Sequence, residues 1–129
     1  MSKIKKFEDI EAWKMAREIT KMIYQISSSV NFSKDFALVN QIRRASVSII
    51  SNIAEGFERN GDKEFVQFLT IAKGSCGEVR AQLYVALDQN YIDEGQFIII
   101  KNKLAETSRM LSGLIKYLQQ SSLKGSKFK

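Results

Sequence analysis

The chain contains no histidine and no proline, and Cys76 is its only cysteine. Each absence excludes something. Without histidine there is no Ser–His or Cys–His nucleophile pair, and the Glu-x-x-His motifs of di-iron bundle enzymes are missing. One cysteine and no histidine leave no structural zinc site. A lone thiol cannot close an internal disulfide, so a reducing compartment, the cytoplasm, is the expected location. Without proline, long uninterrupted helices meet no obstacle. No stretch approaches the ~18 apolar residues of a membrane span. The basic start, Met1 to Lys6, runs into Phe7-Glu8-Asp9 and not into an apolar signal core. No catalytic residue, cofactor, metal, small-molecule substrate or membrane partner is therefore expected.

What is present is ordinary in bulk: 129 residues, 44% hydrophobic and 26% charged. That suits one domain with one core. The net charge of +6 invites a nucleic-acid reading. Its distribution weakens that reading. Lys3, Lys5, Lys6, Lys124, Lys127 and Lys129 lie in two terminal tails, 1–6 and 122–129, and equal the whole excess. The remaining 14 basic groups match the 14 acidic ones, so the body is formally neutral.

Four apolar stripes recur at helical spacing. Ala12, Ala16, Ile19, Ile23 and Ile26 mark a first helix, about 10–28. Leu38, Ile42, Ala45, Ile49, Ile53 and Phe57 mark a second, about 34–59, with Ser33 as its expected N-cap. Asn60-Gly61 reads as its stop, with Gly61 suited to a left-handed C′ position. Asp62 reads as the N-cap of a third helix, about 63–88, whose stripe is Phe65, Leu69, Ala72, Cys76, Val79, Leu83 and Ala86. Asp93-Glu94-Gly95-Gln96 has capping-box spacing and opens a fourth, about 94–120, along Phe97, Ile100, Leu104, Thr107, Leu111, Leu114 and Leu118. Cys76 reads as a buried small hydrophobe, and Trp13, Met15 and Tyr24 as packing residues. The later connections are short, so neighbouring helices fold back on one another. The expected fold is all-α: an antiparallel up-down-up-down four-helix bundle.

Motifs that carry chemistry fail on inspection. Gly56 and Gly61 have phosphate-loop spacing, but Asp62 and Lys63 stand where Lys and Ser/Thr are needed. Carboxylates one turn apart, such as Glu55 and Glu58, are read as a solvated face.

The second helix carries another pattern. Gln41, Arg44, Ser48, Asn52 (beside Ser51), Glu55 and Arg59 form a polar face rich in small and amide side chains. The third adds Gly74, Ser75 and Gly77, each glycine costing about 1 kcal/mol against alanine in mid-helix. Either a tight contact inside the bundle or a subunit interface accounts for this. Ser48, Ser51, Asn52 and Glu55 are the interface candidates. Arg43, Arg44, Arg59, Lys73 and Arg80 are the basic groups of these two helices. They are read as phosphate contacts or as partners of Glu55, Glu58, Glu64 and Glu78.

The run Gln41-Ile-Arg-Arg-Ala-Ser-Val-Ser-Ile-Ile-Ser-Asn-Ile-Ala-Glu-Gly56 resembles the four-helix bundle proteins encoded in intervening sequences of bacterial 23S ribosomal RNA genes. Phe7-Glu-Asp-Ile-Glu-Ala-Trp13 looks like that family's opening. Glu64-Phe65, Phe68-Leu-Thr-Ile-Ala72 and Gly74-Ser75 are similar to its third-helix signature. Ile50 and Ser33 stand where the family usually has proline. The resemblance implies a homopentameric ring around a central channel and no known enzymatic activity. A similar bundle, the accessory protein of diversity-generating retroelements, pairs with a reverse transcriptase and nucleic acid. By that analogy Arg43, Arg44, Arg59, Lys73 and Arg80 are candidate RNA contacts. A protein-interaction module that partners a polymerase without touching nucleic acid is the alternative.

Overall fold

The apolar stripes form helices because each puts its large side chains on one face. A computed structural model describes residues 4–127, with side chains through Ser121. The helices are α1 (Glu11–Ile26), α2 (Phe36–Glu58), α3 (Asp62–Asp88) and α4 (Glu94–Lys127), with 3-10 turns at Phe7–Asp9 and Phe32–Lys34. Among the described residues there is no strand, and no helix is long and apolar enough to cross a membrane. The outer parts of the lysine-rich tails, residues 1–3 and the side chains of 122–129, lie outside the described residues.

Every stripe residue named above is buried except Phe57 and Leu114, which pack half-buried against the core. Ile19, Ile23, Ile42, Ile49, Ile53, Leu69, Leu83 and Leu111 are wholly enclosed. Each such side chain stabilises the fold by ~1.5–3 kcal/mol relative to exposure. Paired contacts show that α2 runs opposite to both α1 and α3. On α2 and α3, Ser48 meets Ser75 while Gly56 meets Phe68. On α1 and α2, Thr20 bonds Ser46 and Ser27 bonds Arg43. Lys103 of α4 pairs with Glu18 of α1 at 3.2 Å. The ring closes in chain order.

The helix ends depart from expectation in detail. Asp35, not Ser33, caps α2: its Oδ1 accepts from the Leu38 amide at 3.1 Å. Ser33 instead sits in the 3-10 turn and donates to the Val30 carbonyl. Gly61, not Asp62, is the N-cap of α3, and its φ of 120° is open to glycine but rarely to other residues. The C′ position of α2 expected for Gly61 falls instead on Asn60, one residue earlier. Asp62 begins the helix, where its charge complements the dipole. The expected capping box forms in both directions: Gln96 N donates to Asp93 Oδ1 (2.8 Å) and Asp93 N to Gln96 Oε1 (3.0 Å). α3 closes with Asn90 at φ 61°, Tyr91 N donating to Ala86 O and Asn90 N to Leu87 O. That is a Schellman motif with asparagine in glycine's usual place. α4 continues past the expected end near 120 to Lys127.

Phe32, in the loop between α1 and α2, is fully buried and stacks on Tyr91 with centroids 5.1 Å apart. The Tyr91 hydroxyl donates to Asp35 Oδ2 at 3.0 Å. The cap of α2 is thereby tied to the α3–α4 turn. That hydrogen bond, with smaller contributions from burial and from the carboxylate's charge, raises the phenol's pKa above its ordinary value of 10.0.

Two expectations follow. A Cβ added at Gly56 falls 2.7 Å from the Phe68 Cβ and 3.0 Å from Phe65. Gly56→Ala should therefore lose ~1–3 kcal/mol despite alanine's better helix propensity. An unchanged or raised urea midpoint would contradict the close packing. A raised folded-state pKa at Tyr91 supplies stability present below about pH 10 and lost as pH rises through the higher folded value. The stability difference between wild type and Tyr91→Phe should be flat below about pH 10 and shrink above it; a flat difference throughout would show that the bond does not form.

Candidate nucleic-acid interface

The polar face of α2 divides between the inside and the outside of the bundle. Ser48 and Asn52 are half-buried, and Ser48 is turned to α3. Ser48 Oγ and Ser75 Oγ share a hydrogen bond at 2.9 Å. Asn52 Nδ2 donates to Ser48 O (2.8 Å) and to Ser48 Oγ (3.0 Å). Ser75 is buried and Ser48 lies against it, so these small polar groups let α2 and α3 approach closely. Ser51 and Glu55 point outward, and Glu55 accepts from Arg59 Nη2 at 2.8 Å. Of the four interface candidates, Ser48 and Asn52 are thus engaged within the protomer.

The five basic candidates also separate. Arg43 is engaged at the end of α1: its Nε donates to Ser27 Oγ (2.9 Å), its Nη2 to Ser28 Oγ (3.1 Å), and it lies 4.5 Å over the Tyr24 ring. Arg59 is engaged by Glu55 and lies 5.1 Å over Phe68. Among the described residues, Arg44, Lys73 and Arg80 have no ion-pair or hydrogen-bond partner. Arg43 and Arg44 line a depression of about 530 Å³ with Tyr24, Asn40 and Val47 on the α1–α2 side. Lys73 and Arg80 line a cleft of about 420 Å³ on the opposite, α3–α4 side. The cations do not form one patch.

Two glycines expected at a close contact stand free. A Cβ at Gly74 or Gly77 would meet nothing within 4 Å. Both line the α3–α4 cleft, whose floor includes Cys76 and Leu104. Burial pushes the Cys76 thiol pKa up to about 12, so it stays protonated and inert at neutral pH. Ser108, absent from the candidates above, faces the cleft from α4. No periodicity marks it, because its role comes from a neighbouring helix.

The fold and this surface define an α-helical bundle. Residues 8–113 match the family described as 23S rRNA-intervening sequence protein, and the chain belongs to that family. It is also similar to a solved structure from Bacteroides thetaiotaomicron, described as a protein with unknown function from the S23 ribosomal protein family. The two share 26% identity over 81% of this chain and 98% of the other, with a TM-score of 0.74. No curated protein is matched.

The Ser48–Ser75 contact can be tested by a double-mutant cycle. Ser48→Ala and Ser75→Ala should couple by ~0.5–1.5 kcal/mol in urea unfolding. Strict additivity would place the two hydroxyls apart.

Proposed function

We propose that this chain is a non-enzymatic bundle protein that assembles into a ring, a pentamer, and binds structured RNA as a scaffold in the cytoplasm. The observation that carries the RNA reading is the outward placement of Arg44, Lys73 and Arg80 without internal partners, on a body whose other candidate arginines are engaged. Family membership supports it through the family's link to 23S rRNA genes. Cations on two sides of one protomer suit a scaffold that touches RNA at several points, with the tails adding charge. Assembly is supported by the outer face of α3. Exposed Ile71, Ala81 and Val85 lie on α3 outside the cleft lined by Lys73 and Arg80, leaving an apolar strip that another helix can approach.

One observation favours the alternative, a protein-interaction module for a polymerase. Val30, Phe36, Ile98 and Ile99 are half or more exposed at the end of the bundle where α1 finishes and α4 begins. Such a cluster is typical of protein contacts.

Light scattering on a sizing column should give a mass near five times 14.7 kDa. Phosphate contacts release counterions, so affinity for a structured RNA should fall by orders of magnitude between about 50 and 500 mM salt. Arg44→Gln should lower the salt slope by about 1. A monomer would defeat the ring. Equal RNA retention at both salts would defeat the scaffold reading, and capture of a polymerase lost on Phe36→Ser would favour the alternative.

A further inference from the structure

The α3–α4 cleft combines room, positive charge and hydrogen-bond donors in a way the core does not need. Lys73, Gly77 and Arg80 step by 4 and 3, so they share one face of α3. A group seated above Gly77 lies about 6 Å from Lys73 and about 4.5 Å from Arg80 along the helix axis. Among the described residues no neighbouring group fills that position: a Cβ built at Gly77 or Gly74 meets nothing within 4 Å beyond its own stretch of helix. The cleft, at about 420 Å³, falls in the size range of small-ligand sites.

Its chemistry has one sign. No carboxylate lines it. Glu78 and Glu106, on the same two helices, are exposed and pair with neither Lys73 nor Arg80. Among the described residues the Ser108 hydroxyl has no hydrogen-bond partner and faces the cleft from α4. Thr70 lines it too, but its hydroxyl already donates to Val66 O at 2.8 Å. Mid-helix amides are consumed by the helix, so side chains must supply the donors. Lys73, Arg80 and Ser108 are the three available: a point charge, a planar fork and a neutral hydroxyl.

We propose that the α3–α4 cleft is a phosphate-binding site in which Lys73, Arg80 and Ser108 hold a phosphoryl group above Gly77. The phosphate belongs either to an RNA backbone or to a free nucleotide. Only the RNA source rests on the scaffold reading above. The glycines serve the site by leaving the space between the cations empty, and Ala105 does the same on α4.

The test titrates the full-length protein with inorganic phosphate, AMP and a short RNA hairpin by calorimetry and NMR at about 50 mM salt. Lys73→Gln and Arg80→Gln should each weaken AMP binding about tenfold or more, as for loss of a charge-assisted hydrogen bond. Ser108→Ala should cost about threefold to tenfold. Gly77→Leu keeps every charge but fills the cleft, and it should abolish AMP binding. Its helix content and melting temperature report whether it folds. If it does not, the two glutamine variants decide. Wild-type AMP affinity in both glutamine variants, or in a folded Gly77→Leu protein, would overturn the site. So would a change in oligomer mass on Gly77→Leu with phosphate binding intact, because the cleft would then hold a helix. AMP binding without hairpin binding would keep the site and defeat the RNA scaffold. Hairpin binding lost on Arg44→Gln but untouched by the cleft variants would keep the scaffold and rule out RNA as the source of the phosphate.

Discussion

The close approach of α2 and α3 is the constraint on which the rest of this bundle depends. At Gly56 a single extra carbon would collide with Phe68, and two turns away Ser48 bonds Ser75 across the contact, with Asn52 donating to Ser48 from within α2. Small side chains let two backbones come together, and the Ser48 and Ser75 hydroxyls satisfy each other across the part-buried contact. Once these helices are close, the apolar stripes of α1 and α4 have one remaining place to go. They close the ring over the other side of the core.

That contact also decides which surfaces are left for function. α3 presents Ser75, Val79 and Ala86 inward, and therefore turns Gly74, Gly77, Lys73 and Arg80 outward. The same helix thus has small residues on two faces for different reasons. One face is filled by α2. The other borders an unfilled cleft beside α4. Arg43 and Arg59 show the complementary outcome, with guanidinium groups spent on Ser27, Ser28 and Glu55 and on aromatic faces. Outward cations on a formally neutral body matter more than the overall charge.

Much of this was legible in the chain. Alternating steps of three and four residues put Ala12 to Ile26, and Phe65 to Ala86, on single faces, and those residues are buried. The Asp93–Gln96 capping box was readable because its partners are three residues apart. Caps that depend on distant groups were not. Asp35 outcompetes Ser33 because its carboxylate serves both the Leu38 amide and the Tyr91 hydroxyl, and Tyr91 is 56 residues away. Phe32 lies outside every periodic stripe, yet it is buried because the α3–α4 turn folds over it.

The sequence by itself determined four helices, their buried faces, a core without metal-binding histidines, and membership of a recognisable family. Those follow from local periodicity and composition, which survive whatever the neighbours do. Only the tertiary structure decided which small residues are contacts and which are openings. Gly56 and Gly77 are indistinguishable as letters in a helix. One is pressed against Phe68 and the other faces open space, because the packing of α2 fills one side of α3 and leaves the other side free.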